Sequence, residues 1–150
     1  MPRVFLVLGS TDVPVVFTND HPVGLGCMNQ RDDVLLIQHL LNTIWHDAGG
    51  SEGFQPPGED RPLVLDGVCG PRTEKFIQHF QQETRNRHIT LVEEDRIDPV
   101  TGAQPGGSHA HYTILALNAA RNSRRQANLM DIAGDPGFPE ELRHHFYANW

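Results

Sequence analysis

Leu63-Val64-Leu65-Asp66-Gly67-Val68-Cys69-Gly70-Pro71-Arg72-Thr73-Glu74 is the stretch whose reading decides the fold. It passes from a short extended piece through a turn into a helix start. Pro71 suits the first helical position, because its ring fixes φ and its missing N–H would have no intrahelical partner there. Gly67 and Gly70 permit the tight backbone of such a turn. Asp66 is placed to accept from backbone N–H groups of that turn. Phe76, Ile77, Phe80 and Thr84 then recur on one face, which predicts a helix from Pro71 to about Asn86.

Upstream, Val34, Ile37, Leu41 and Ile44 fall at helical spacing, with Leu36, Leu40 and Trp45 widening the stripe. They predict a core helix over Asp32–His46, capped by Asn29 or Asp32. Residues 47–62, rich in glycine and proline, read as a long loop. Downstream, the β-prone Ile89–Val92 leads into Asp95-Arg96-Ile97-Asp98-Pro99-Val100-Thr101-Gly102, an echo of the Asp-Gly-Val turn. A glycine-rich loop follows. A third helix is expected over Ala110–Arg124, with Ile114, Leu117 and Arg121 on one face. At the start of the chain, residues 4–8 and 13–17 are β-prone runs around the turn-like Gly9–Asp12. They predict a small hairpin or an extended arm, with Pro14 limiting the second run to an edge. The tail after Ala133 holds Phe146, Tyr147 and Trp150, which either pack back on the body or stay free of it.

The residues Val34, Gln38 and Leu41, then Asp66-Gly67, Gly70-Pro71 and Thr73, then Phe80-Gln81, together resemble the peptidoglycan-binding-like domain family. The resemblance covers about residues 24–102. Two features differ from the family pattern: the connection over 47–62 is longer, and the second Asp-Gly turn reads here as Asp95-Arg96. The resemblance implies a mainly α fold, a three-helix bundle; with the long loops and the short β-prone N-terminal segment read from the residues, the expectation is one domain over 1–150. It also implies a noncatalytic module that attaches proteins to bacterial cell wall or, in some relatives, packs against a partner domain. Its partners would be peptidoglycan glycan, stem peptide or another protein. The expected ligand-binding surface lies around the Asp66–Thr73 turn with Arg72 and Gln81, and Trp45 is a sugar platform if exposed. Gln38 and Gln81 either satisfy the turn backbone or point outward to a ligand amide. Asp66, Gly67, Gly70, Pro71 and Thr73 each have a purely structural reading as well.

The 150 residues fit one domain, which at this size buries roughly 70% of its unfolded surface. The 14 glycines and 11 prolines require long connections around few helices. A net charge of -7 gives little counterion release, so nucleic acid is not an expected partner. No segment has the ~20 apolar residues of a membrane span. The apolar run before Gly9 is too short for a signal peptide core, so the expectation is cytoplasmic synthesis with delivery to the envelope by another route. Cys27 and Cys69 are either small buried apolar side chains or, in an oxidising compartment, one bond.

Enzymatic patterns are thin, and no cofactor, metal or catalytic residue is expected. His109-Ala110-His111 offers two zinc ligands if extended but lacks a third. His144-His145 reads as surface, and Glu93-Glu94-Asp95 as a solvated acidic turn. Arg121, Arg124 and Arg125 suit the negative end of the third helix, or bidentate capture of a carboxylate on a stem peptide or acidic partner.

Overall fold

The computed structural model describes residues 2–6, 15–45, 54–100, 111–124, 132–143 and 146. Strands β1 (Arg3–Leu6) and β2 (Val15–Thr18) form an antiparallel pair, with Val4 opposite Phe17. Strand β3 (Val23–Gly24) precedes helix α1 (Arg31–Thr43). Helix α2 (Pro71–Asn86) is followed by β4 (Arg96–Ile97), which pairs antiparallel with β3. Helix α3 (Thr113–Arg124) and two 3-10 turns, Ile132–Gly134 and Glu140–Leu142, complete the order. The fold is thus mainly α, three helices with two small β ladders.

Helix α1 is the centre. Residues 33–41 are all buried, so it is covered on every side and not only along the stripe that its apolar spacing predicts. It packs against α2 and α3, and one hydrophobic core runs from Val16 through Val34, Ile37, Phe76 and Ile114 to Phe146. The tail packs back on this body: Ile132, Phe138, Leu142 and Phe146 are buried, with the Phe146 ring edge-on to Phe17 at 5.6 Å. Tyr147 and Trp150 lie outside the described residues, as do the glycine-rich loop and residues 47–53 of the long connection.

Several local expectations change. The residue capping α1 is Gln30, without a side-chain hydrogen bond. Asn29 instead turns to the backbone of Gly24, and Asp33 accepts from the N–H groups of Asp20 and His21. Pro71 does stand at the start of α2, behind Gly70. Gly67 has φ +72°, as a left-handed turn requires, whereas Gly70 is extended at φ -88° with open space where a Cβ would go. The glycine at 70 is therefore not demanded by the backbone.

Candidate functional site

The Asp66–Thr73 turn is held from inside by one carboxamide. Gln38, buried on α1, accepts from the Gly67 N–H through Oε1 at 3.1 Å. Its Nε2 faces Asp66 Oδ1, the Val68 carbonyl and Thr73 Oγ1, all within 3.1 Å. Asp66 also accepts from the Val68 N–H at 3.0 Å, so its carboxylate closes its own turn. The Gln38 bond and the Val68 N–H lower the Asp66 pKa.

The second turn repeats this arrangement with different spacing. Gln81, buried on α2, accepts from the Asp95 N–H at 2.9 Å and donates to the Arg96 carbonyl at 2.8 Å and Thr113 Oγ1 at 3.0 Å. Asp95 has φ +60°, so it occupies the place of Gly67. Pairing Asp95-Arg96 with Asp66-Gly67 is therefore off by one residue: Glu94-Asp95-Arg96 corresponds to Asp66-Gly67-Val68. An aspartate tolerates the left-handed region better than most residues, which is why the glycine is dispensable there. Thr113, at the start of α3, supplies the hydroxyl that Thr73 supplies at the start of α2.

Both glutamines and Thr73 thus serve the fold rather than face solvent. Trp45 is 4% exposed and stacks on Phe76, so it is not a platform for sugar. Arg72 is half-buried on α2. It donates to Glu59 at 2.8 Å and to the carbonyls of Arg61 and Pro62, and its guanidinium lies 5.3 Å over the Phe76 ring. It pins the end of the long loop to the helix. Of the six candidate contacts, Asp66 alone is classed as exposed.

Two charged groups also differ from expectation. Glu93 is buried, not a solvated turn residue: it accepts from the Thr113 N–H and hydroxyl and from the Asp98 N–H, placing a carboxylate at the positive end of α3. Arg121 does make a bidentate grip, but on Asp135 of this chain. The side chain of Arg124, and all of Arg125, His109, His144 and His145, lie outside the described residues. His111 is exposed, and its backbone bonds Thr90 and Val92, giving the 89–92 piece a single β-bridge. Among the described residues no three His, Cys, Asp or Glu side chains gather to hold a metal ion.

Segment 24–28 lies against the second turn, and Arg31, three residues on from it, donates to the Asp66 carbonyl of the first turn at 2.6 Å. The Leu25 N–H donates to the Asp95 carbonyl, and Gly24 pairs with Arg96. Leu25, Met28 and Val68 are each more than half exposed. Arg31 and Arg96 are exposed as well, paired with Glu141 and Asp98 respectively.

Three asparagines do similar work that sequence reading missed. Asn29 bonds both N–H and C=O of Gly24, Asn42 both of Leu63, and Asn118 both of Phe17. Each amide imitates a strand partner for one residue of irregular or edge backbone. For Asn42 and Asn118 the available signal was weak, a polar residue beside the apolar face of a predicted helix, and Asn29 read as a helix cap. No protein-family model, curated protein or solved structure matches the chain.

Proposed function

We propose that this chain is a noncatalytic binding domain that holds bacterial peptidoglycan through its stem peptide rather than its glycan. The observation carrying this reading is what the two turns leave outside. The amides and the tryptophan suited to sugar recognition are buried, while Leu25, Met28, Val68, Arg31 and Arg96 are exposed, Arg31 bonding the Asp66 carbonyl of the first turn and Arg96 pairing with Gly24 next to Leu25. Exposed apolar side chains together with guanidiniums on one surface would suit a short peptide of methyl groups and carboxylates. A ligand carboxylate would compete with Glu141 or Asp98 for its arginine. The resemblance of residues 24–102 to peptidoglycan-binding-like domains supports the wall as the target.

Sedimentation with purified peptidoglycan tests the reading. Retention should fall about tenfold, roughly 1.4 kcal/mol, when Met28→Ser and Val68→Ser are combined. Free stem peptide should compete, and glycan strands stripped of peptide should not. Retention no greater than that of a charge-matched control protein would rule the proposal out. The same exposed aliphatic side chains favour a second reading, a protein-assembly surface. That reading predicts no wall retention together with a dimer or hetero-complex that the same double substitution dissolves.

A further inference from the structure

We propose that Asp66–Gly67 is a modification site, a peptide bond poised to isomerise to isoaspartate, and that Gln38 and Arg31 keep it intact while the turn is folded. The inference is independent of what the surface binds.

An aspartate followed by glycine is open to attack by the next backbone nitrogen, because glycine has no Cβ to hinder the approach. The pair Asp-Gly occurs once in the chain, at Asp66-Gly67, and Asn-Gly does not occur. In the reaction the Gly67 nitrogen bonds to Asp66 Cγ, and the amide hydrogen leaves with the carboxyl hydroxyl as water. Water then opens the succinimide ring. Breaking the new Cγ–N bond restores aspartate. Breaking the bond from the Asp66 carbonyl carbon to that nitrogen gives isoaspartate instead, with the main chain routed through Cβ and Cγ. One water leaves and one enters, so the mass is unchanged and no oxidant or reductant takes part.

Every group that must move for this is held. The Gly67 N–H is given to Gln38 Oε1 at 3.1 Å, and Gly67 itself is buried. Asp66 Oδ1 accepts from Gln38 Nε2 and from the Val68 N–H, each at 3.0 Å. Those bonds, that of Gln38 foremost, hold the Asp66 carboxyl below its ordinary range, and an ionised carboxylate has no hydroxyl to lose. Arg31 donates to the Asp66 carbonyl at 2.6 Å and lies across the glycine, where an added Cβ would meet its Cγ at 2.7 Å. Turning the peptide toward the Asp66 side chain therefore breaks the Gln38 and Arg31 bonds together. Isoaspartate, one methylene longer in the main chain, no longer matches the planar Gln38 amide, whose oxygen and nitrogen keep a fixed spacing. The change is a one-way loss of the turn ahead of α2. The second turn lacks this chemistry: Glu94 stands in the place of Asp66, and its longer side chain closes such a ring poorly. Asp95 takes the left-handed place at φ +60°, and the nitrogen after it belongs to Arg96, which carries a Cβ. One clamped turn is thus vulnerable and the other is its internal control.

The test is to age the full chain near neutral pH, native and in guanidinium chloride, and to measure isoaspartate at residue 66 by peptide mapping with electron-transfer fragmentation. The native rate should be at least about tenfold the lower, because attack waits on a local opening of the turn. Gln38→Leu should raise the native rate at least about fivefold. Gln81→Leu strands an amide of the other turn at similar cost, and should leave residue 66 within about twofold of the parent. Arg31→Ala frees the Asp66 carbonyl from the solvent side and should raise the rate about twofold or more, a test that stands even where Gln38→Leu fails to fold. Equal rates in the native and denatured chains would overturn the proposal. So would equal acceleration by Gln38→Leu and Gln81→Leu, a native rate that Gln38→Leu and Arg31→Ala both leave unmoved, or faster isomerisation at another aspartate of the denatured chain.

Discussion

Both guanidinium arms of Arg121 close on the two carboxylate oxygens of Asp135 at 2.7 Å, with neither side chain more than 3% exposed. His39 Nε2 meets the same carboxylate at 3.0 Å. The three residues come from α3, the turn after Ile132–Gly134, and α1. The guanidinium also lies 5.5 Å over the Phe17 ring. This charge cluster docks the C-terminal segment on the helices.

Removing one partner should be far costlier than removing both. Asp135→Ala leaves the Arg121 charge buried without its counter-ion, and a loss of about 3–5 kcal/mol is expected. Adding Arg121→Met to an Asp135→Leu background should recover a large part of that loss, because two apolar side chains avoid the desolvation of both ions. Urea denaturation of the single and double variants measures the difference. Equal destabilisation by both would show that the segment docks through its apolar residues alone.

The same carboxylate predicts an acid limb. Burial works to raise the Asp135 pKa, but the Arg121 and His39 bonds outweigh it and hold the carboxyl at about 2. A folded-state value below the unfolded one stabilises the fold above the unfolded pKa, ~3.9. That contribution, about 2 kcal/mol, fades as pH falls through about 4 toward 2. Unfolding free energy measured from pH 5 to pH 2 should therefore drop, and Asp135→Asn should flatten part of the drop. An unchanged slope in that variant would assign the acid sensitivity elsewhere.

The two glutamine clamps should be equivalent in effect despite their different spacing. Gln38→Leu and Gln81→Leu each strand a backbone N–H, of Gly67 or Asp95, and should cost about 1–3 kcal/mol. Hydrogen exchange should accelerate at the stranded amide and spare the other turn. Uniform acceleration across both turns would contradict local clamping.

Gly67 and Gly70 should separate cleanly. Gly67→Ala places a methyl at positive φ and 2.7 Å from Arg31 Cγ, a side chain that can give way, so about 1–2 kcal/mol of destabilisation is expected. Gly70→Ala meets open space at an ordinary φ and should stay within about 0.5 kcal/mol of the parent. Thermal denaturation distinguishes the pair.

Apolar spacing and turn chemistry made the helices legible. The repeat from Val34 to Ile44 and from Phe76 to Thr84 is local, and Pro71 fixes a helix start by its own covalent ring. The bounds of α2 accordingly match the expectation, and α1 and α3 differ by a few residues at their ends. The β-prone opening runs do pair as a hairpin.

The direction a polar side chain takes is decided only by what lies across from it. Nothing near Gln38 in the chain announces that Gly67, 29 positions on, will need its oxygen, and Asn118 meets Phe17 across 101 positions. Trp45 is buried because Phe76 arrives from another helix, and Arg121 is buried because Asp135 returns to neutralise it. Periodicity and proline are properties of neighbouring residues, so the chain determined its helices and its turn alone. Burial, pairing and the composition of the exposed rim are properties of surfaces brought together from afar, so the tertiary structure decided which residues are left to meet a ligand.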